Sequence, residues 1–449
     1  MVKYQKYAEY KDSGVEWLEN VPREWDIIKI KHLSTVKRGA SPRPIDDPKY
    51  FDDNGEYAWV RIADVSASDM YLLNTTQTMS DLGSSLSVKL EPNQLFLSIA
   101  GTVGKPCINK IKACIHDGFV YFPELKIPNK YLFYVFAGEQ AYKGLGKMGT
   151  QLNLNTDTVG DIKVALPKSQ SDIYKIIEFL DHETTKIDHL IEKQQQLIEL
   201  LKEKRQAVIS HAVTKGLDPN VPMKDSGVEW LGKVPEHWVV KSYRLASRIY
   251  RGKFGHRPRN DPAFYDGDYP FIQTGDVARA GKYITSYSQT LNEKGKEVSQ
   301  LFPKGTLMMA IAANIGDIAI LGFEAYAPDS VVGFKPNNDI DLEFLRYSFI
   351  AALPALEQTS TQSTQANLNV ERIGAVKGTF PSLQEQREIV GYLDNLLEQY
   401  RNLVKIAENA ISLMQERRTA LISAAVTGKI DVRNWQAPTV AEADTEFSA

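Results

Sequence analysis

Between Ser169 and Val213 apolar residues recur in alternating steps of four and three: Ile173, Ile177, Leu180, Ile187, Ile191, Ile198, Leu201 and Val208. A seam of that period, held for about five heptads, predicts one long helix that packs against another helix. The seam returns 213 residues later as Val390, Leu393, Leu397, Tyr400, Val404, Ile411, Met414 and Leu421. Ser169 with Asp172, and Ser382 with Glu385, supply capping starts just after Pro167 and Pro381. Gly216 and Gly428 supply left-handed exits. Two such seams in one chain most simply pack on each other.

The shorter patterns repeat with the same period. Lys11 to Leu18 returns unchanged as Lys224 to Leu231, and Val21-Pro22 with Trp25 returns as Val234-Pro235 with Trp238. These residues read as a packing clasp that seats a globular domain against a helix end. Residues 58–62, 95–99 and 118–122 read as strands, and residues 130–142 as a short helix. Their counterparts follow in outline: Arg38-Gly39 aligns with Arg251-Gly252, Asp64 with Asp276, and residues 95–100 with 307–312. The chain is therefore a tandem duplication of clasp, α+β globular domain and long helix. The expected segments are 1–166, helix 167–218, 219–380, helix 381–430 and a disordered acidic tail, 431–449. The frame repeats closely and its contents diverge, as though two sockets of one shape held two readings.

Composition narrows the class. With 43% hydrophobic and 24% charged residues the chain is an ordinary globular one. No apolar run approaches the ~20 residues of a membrane span, and the start has no signal-peptide core, so the expected setting is cytoplasmic. Two cysteines without a CxxC spacing point to a reducing compartment and no structural zinc.

Catalytic motifs fail one by one. Gly144 to Gly149 has the dinucleotide glycine spacing in the wrong context, since no strand precedes it and no helix follows. Gly101 to Lys105 resembles a phosphate loop but is followed by Pro106, and its counterpart around Gly316 has lost the lysine, so it reads as a tight turn. The histidines form no HExxH pair, and His182, His189 and His211 read as surface positions on the first long helix. Local charge is the positive signal. Residues 241–260 hold seven Lys or Arg and no acid, interleaved with Tyr243, Tyr250, Phe254 and His256. Basic side chains neutralise phosphates, while arginine, glutamine and asparagine can read base edges.

Taken in order, the two Gly-Val-Glu-Trp-Leu…Val-Pro…Trp clasps, the two helices and the Thr-Gln-x-Asn-Leu-Asn loops before them resemble the specificity (S) subunit of type I restriction–modification systems. The Lys-Arg-Gln-Ala-Val-Ile-Ser and Arg-Arg-Thr-Ala-Leu-Ile-Ser helix ends belong to the same pattern. The resemblance implies two target-recognition domains and two antiparallel coiled-coil helices in a pseudo-twofold arrangement. Each domain would read one half of a split, asymmetric site in double-stranded DNA, with half-sites about one helical turn apart. Two methyltransferase (M) subunits and restriction (R) subunits would be its partners. S-adenosylmethionine, ATP and Mg would be carried by those partners, and this chain would be non-catalytic. DNA-contact candidates are Arg38, Arg43, Arg61, Lys105 and Gln151 in the first half, and Arg251, Lys253, Arg257, Arg259, Gln273 and Gln365 in the second. Asp64 and Asp276 read as turn-forming. Alternatives are the recognition subunit of another methyltransferase–nuclease complex, or a coiled-coil adaptor that binds no DNA.

Overall fold

The computed structural model describes residues 4–142, 145, 154–312, 315–358, 368 and 370–437. It divides into two compact units, one taking in residues 1–194 and 409–449, the other residues 195–408. Each unit therefore combines one globular domain with part of both long helices.

The first domain is built round strand Leu95–Ser98, whose four residues are all buried. Side chains alternate across a strand, so an unbroken apolar run needs a core on each face. Leu95 and Leu97 enter one core with Ile108 and Val120. Phe96 enters the other with Cys107, Ile115 and Phe119. This strand lies at the centre of a five-stranded sheet, in the order Lys37–Arg38, Phe119–Tyr121, Leu95–Ser98, Pro106–Asn109, Tyr71–Leu72. A four-stranded sheet, Thr78–Met79, Tyr57–Val60, Ala113–Ile115, Val88–Leu90, closes the second core. The second domain repeats this design: Leu307 and Met309 face one core, and Met308 faces the other.

The first long helix spans Gln170–Lys215 and the second Leu383–Val426. Within the first unit, Ile173, Ile177, Leu180 and Ile187 share a core with Leu421, Ile422 and Ala425. The segments run antiparallel there: Asp188 takes two hydrogen bonds from Arg418, at 2.8 and 3.2 Å, while Phe179 meets Trp435. Within the second unit, Ile209 and Val213 share a core with Ile389, Leu393 and Leu397. Burying each such side chain contributes ~1.5–3 kcal/mol, which holds the paired helix segments together within each unit.

The clasps close the helix ends. Trp25 and Trp238 are both nearly fully buried. Gly428 has φ +70°, and a Cβ on it would stand 2.3 Å from Cδ of Pro22 and 3.3 Å from the Trp25 ring. In the second unit the Trp238 ring covers Gly216, and its Nε1 donates to Glu385 at 3.0 Å. The glycines therefore serve close approach as well as chain reversal.

Two expectations are corrected. The chain after residue 431 is packed as far as Trp435: Val432 is buried, and the Trp435 ring lies 5.5 Å from both Phe179 and His182. Two apolar side chains in an otherwise polar stretch suffice to dock it; residues 438–449 lie outside the described residues. His182 is consequently half-buried, while His211 is exposed. Elsewhere the predicted strands and the helix at 130–142 are found within a few residues, the latter as Asn129–Ala137 followed by a 3-10 turn.

Burial pushes both thiols up to about 12, Cys107 in the second core and Cys114 on the other face of the four-stranded sheet beside Tyr50, Trp59 and Met79. A thiol reagent at pH 8 should label neither in the folded protein and both after unfolding. Phe96→Ala should destabilise the first unit by about 3–5 kcal/mol, the range for emptying a buried aromatic site, read as a lowered denaturant midpoint.

Candidate nucleic-acid interface

The sheet order brings distant loops to one place. In the first unit, Tyr57–Val60 and Ala113–Ile115 are parallel neighbours, so Arg61 and His116 leave the sheet at the same end. Phe119 pairs with Ser98, and Val120 with Arg38. The turn at residues 116–118 thus meets the loop after Arg38, the start of the helix Ile62–Ala67 and the turn at residues 99–105. The Ile99 N–H donates to the Gly118 carbonyl at 2.8 Å, which fixes the last of these contacts.

Asp117 gathers the arginines of that loop. Its carbonyl accepts from Arg38 Nε at 2.5 Å, and its carboxylate accepts from Arg43 at 3.0 Å. An exposed ion pair contributes little to stability, but it sets where each guanidinium stands. Arg61 leads into the helix Ile62–Ala67, its N–H donating to Asp64 Oδ2 at 2.8 Å, and its guanidinium donates to Gln77. Lys105 Nζ donates to the Ser66 carbonyl at 2.8 Å, at the other side of the same helix. Four candidates from three segments of the chain therefore surround one turn.

The second unit repeats the arrangement with different side chains. Asp329, in the turn equivalent to that of Asp117, pairs with Arg257 at 3.3 Å and with Arg259. Arg257 also donates to the Phe254 carbonyl at 2.6 Å. Gln273 leads into the helix Thr274–Arg279, its N–H donating to Asp276 Oδ2 at 2.8 Å, and its side-chain amide donates to Gln289. Arg251 lies on the strand Ser247–Arg251, with Lys253 just beyond; both are exposed, and neither side chain has a hydrogen bond or ion pair among the described residues. Asp317 stands where the first unit has Lys105, and burial raises its carboxyl above the ordinary range.

Nine candidates thus lie at the two equivalent ends, four in the first unit and five in the second. Gln151 and Gln365 lie outside the described residues, as does Gly144–Gly149 apart from Leu145. Asp64 and Asp276 hold helix starts. The turn after Gly101 joins two antiparallel strands, with Gly104 at φ +87° and its counterpart Gly316 at the same angle. Sequence reasoning missed Asp117, Asp329, Gln77 and Gln289. The repeat offered a signal for all four, since the members of each pair stand 212 residues apart. His116 is structural: burial lowers its pKa, and its Nδ1 accepts from the Gly118 N–H at 2.9 Å.

Among the described residues no cluster of metal-ligating side chains occurs, and no helix is long and apolar enough to cross a membrane. The model of the type I restriction modification DNA specificity domain matches residues 22–199 and again 254–411. The chain belongs to that specificity-domain family. A type I specificity-subunit relative, the MjaIX specificity subunit of Methanocaldococcus jannaschii, is 28% identical over 186 residues, 40% of this chain. The match spans 43% of that relative's length. A chain solved in work on complex assembly and conformational transition of the type I R-M system has the same fold, at TM-score 0.67 and 14% identity over 90% of this chain and 98% of its own. The HsdS subunit of Thermoanaerobacter tengcongensis aligns at TM-score 0.48 and 13% identity over 91% of this chain and 98% of its own.

For a DNA specificity domain the carboxylate of Asp329 is a liability towards phosphate and an asset for placement. If this turn meets DNA, Asp329→Asn should lower the ratio of specific to nonspecific DNA affinity about five- to tenfold, roughly the worth of ~1–1.4 kcal/mol. Nonspecific affinity should hold or rise, as competition between target and random duplexes will show.

Proposed function

We propose that this chain is the DNA-recognition subunit of a type I restriction–modification complex, working in the cytoplasm. Each globular domain reads one half of an asymmetric bipartite site. The observation that carries this reading is the pair of equivalent turns, alike in frame and unlike in the side chains they present. Unit one offers Arg61 and Lys105 where unit two offers Gln273 and Asp317. Like frames suit like approaches to a duplex, and unlike side chains suit unlike sequences. Arginines and lysines at the rim contribute phosphate contacts, which position without specifying. With a net charge of −3, much of the phosphate binding falls to partner subunits.

Chemistry falls to partners as well. Methyltransferase subunits bring S-adenosylmethionine, and restriction subunits bring ATP and Mg. The long helices set the half-site separation and dock two methyltransferase subunits. Exposed apolar side chains on the helix segments of the second unit support a docking role: Leu197, Leu200, Leu403 and Ile406, the last 65% exposed. Apolar side chains gathered on an exposed surface mark an interaction site more often than a scattered few do.

The direct test is the adenine methylome of a host carrying the active methyltransferase with this gene intact or deleted. Loss of methylation at one split motif is the expected result, and an unchanged methylome rejects the reading. Replacing residues 239–380 with another member's domain should change one half of that motif and leave the other. The double substitution Leu403→Glu with Ile406→Glu should cut methyltransferase co-purification at least tenfold while the melting temperature of the isolated chain stays within about 2 °C, since both side chains are exposed.

A further inference from the structure

The two units differ, on a shared frame, at the residue that leads into the short helix beside the turn. Arg61 and Gln273 have the same backbone setting: each N–H donates at 2.8 Å to an aspartate three residues on, Asp64 or Asp276. Each side chain is exposed. Each donates to the side-chain carbonyl of a glutamine, Gln77 or Gln289. Those glutamines are themselves fixed by the sheet. The Trp59 N–H donates to the Gln77 carbonyl at 2.9 Å, and Gln289 stands opposite Phe271 in strand register. The buttress is the same residue in both units, and only the side chain it supports has changed.

What remains free on each supported side chain is chemically distinct. Arg61 uses one Nη2 hydrogen on Gln77, so the second Nη2 hydrogen remains, beside the N–H of Nε or Nη1 on the same edge. Two donors in a plane match the O6 and N7 acceptors of guanine in the major groove. Gln273 uses one Nε2 hydrogen on Gln289, leaving the second hydrogen and Oε1. A donor beside an acceptor matches N7 and N6 of adenine. Around Gln273 and Gln289, with Asp266, Tyr287, Ser288 and Thr290, the surface forms an open recess of about 450 Å³.

We propose that Arg61 specifies a guanine in one half-site and Gln273 an adenine in the other, with Gln77 and Gln289 as the positioning residues that aim them. The assignment rests on the half-site reading above. A carbonyl acceptor serves both aims, which explains why one residue type suffices as buttress under two different readers. Neither reader fills a core, so exchange of one for the other leaves the fold intact.

The test uses the full chain assembled with its methyltransferase and reads the methylated motif genome-wide. The unaltered complex is profiled first: no split motif fails the half-site reading itself, whereas a split motif that neither variant alters fails this assignment alone. Gln273→Arg should convert one adenine of the second half-site to guanine, with about a 10- to 100-fold change in preference at that position, and leave the first half-site as it was. Arg61→Gln should do the converse in the first half-site. Gln289→Leu should relax discrimination at the same adenine about tenfold, and Gln289→Glu, which keeps an acceptor, should restore it. Relaxation spread over every position of the half-site, or no rescue by glutamate, would reduce Gln289 to a structural residue and overturn its part in the proposal.

Discussion

Everything in each domain depends on a strand that must satisfy two cores at once. Leu95 to Ser98, and Leu307 to Ala310 in the repeat, send alternate side chains to opposite faces, and every one is buried. That requirement forces a sheet on one side and helices on the other. It also fixes which strand ends are neighbours. The loops that carry arginine, lysine and glutamine are thereby brought together by hydrophobic register before their own contacts place them, and a polar surface inherits its geometry from the interior.

This explains why much of the architecture could be read from the sequence. Apolar periodicity is a local property, so the heptad seams, the strand at residues 95–98 and the glycine exits at Gly216 and Gly428 are legible directly. The clasp was legible as a repeat, and burial of Trp25 and Trp238 bears out its packing role. What could not be read were contacts across long separations: Arg43 meets Asp117, and Arg61 meets Gln77, only after the sheet has folded. Trp435 was misjudged for a related reason. Acidic composition around it signalled disorder, while its docking surface, Phe179 and His182, lies more than 250 residues earlier.

Asp117 and Asp329 trade attraction for order in the proposed interface. A carboxylate among arginines lowers the local positive charge and so weakens the pull on any phosphate. It also removes rotameric freedom from long side chains that would otherwise lose it on binding. Between a strongly charged, loosely aimed surface and a weaker, better placed one, the two turns favour placement. Placement is also what discrimination between bases demands.

The exposed setting of Arg61 and Gln273 has an evolutionary side. Most substitutions in a folded chain are filtered by their effect on stability before any effect on activity is felt. Here the side chains outermost on the turn carry no packing, and the capping aspartates and buttress glutamines beneath them are common to both units. Mutational drift at such a position meets no folding barrier. On the proposed assignment, a lineage could therefore wander among DNA targets while its hydrophobic cores stayed under unchanged selection.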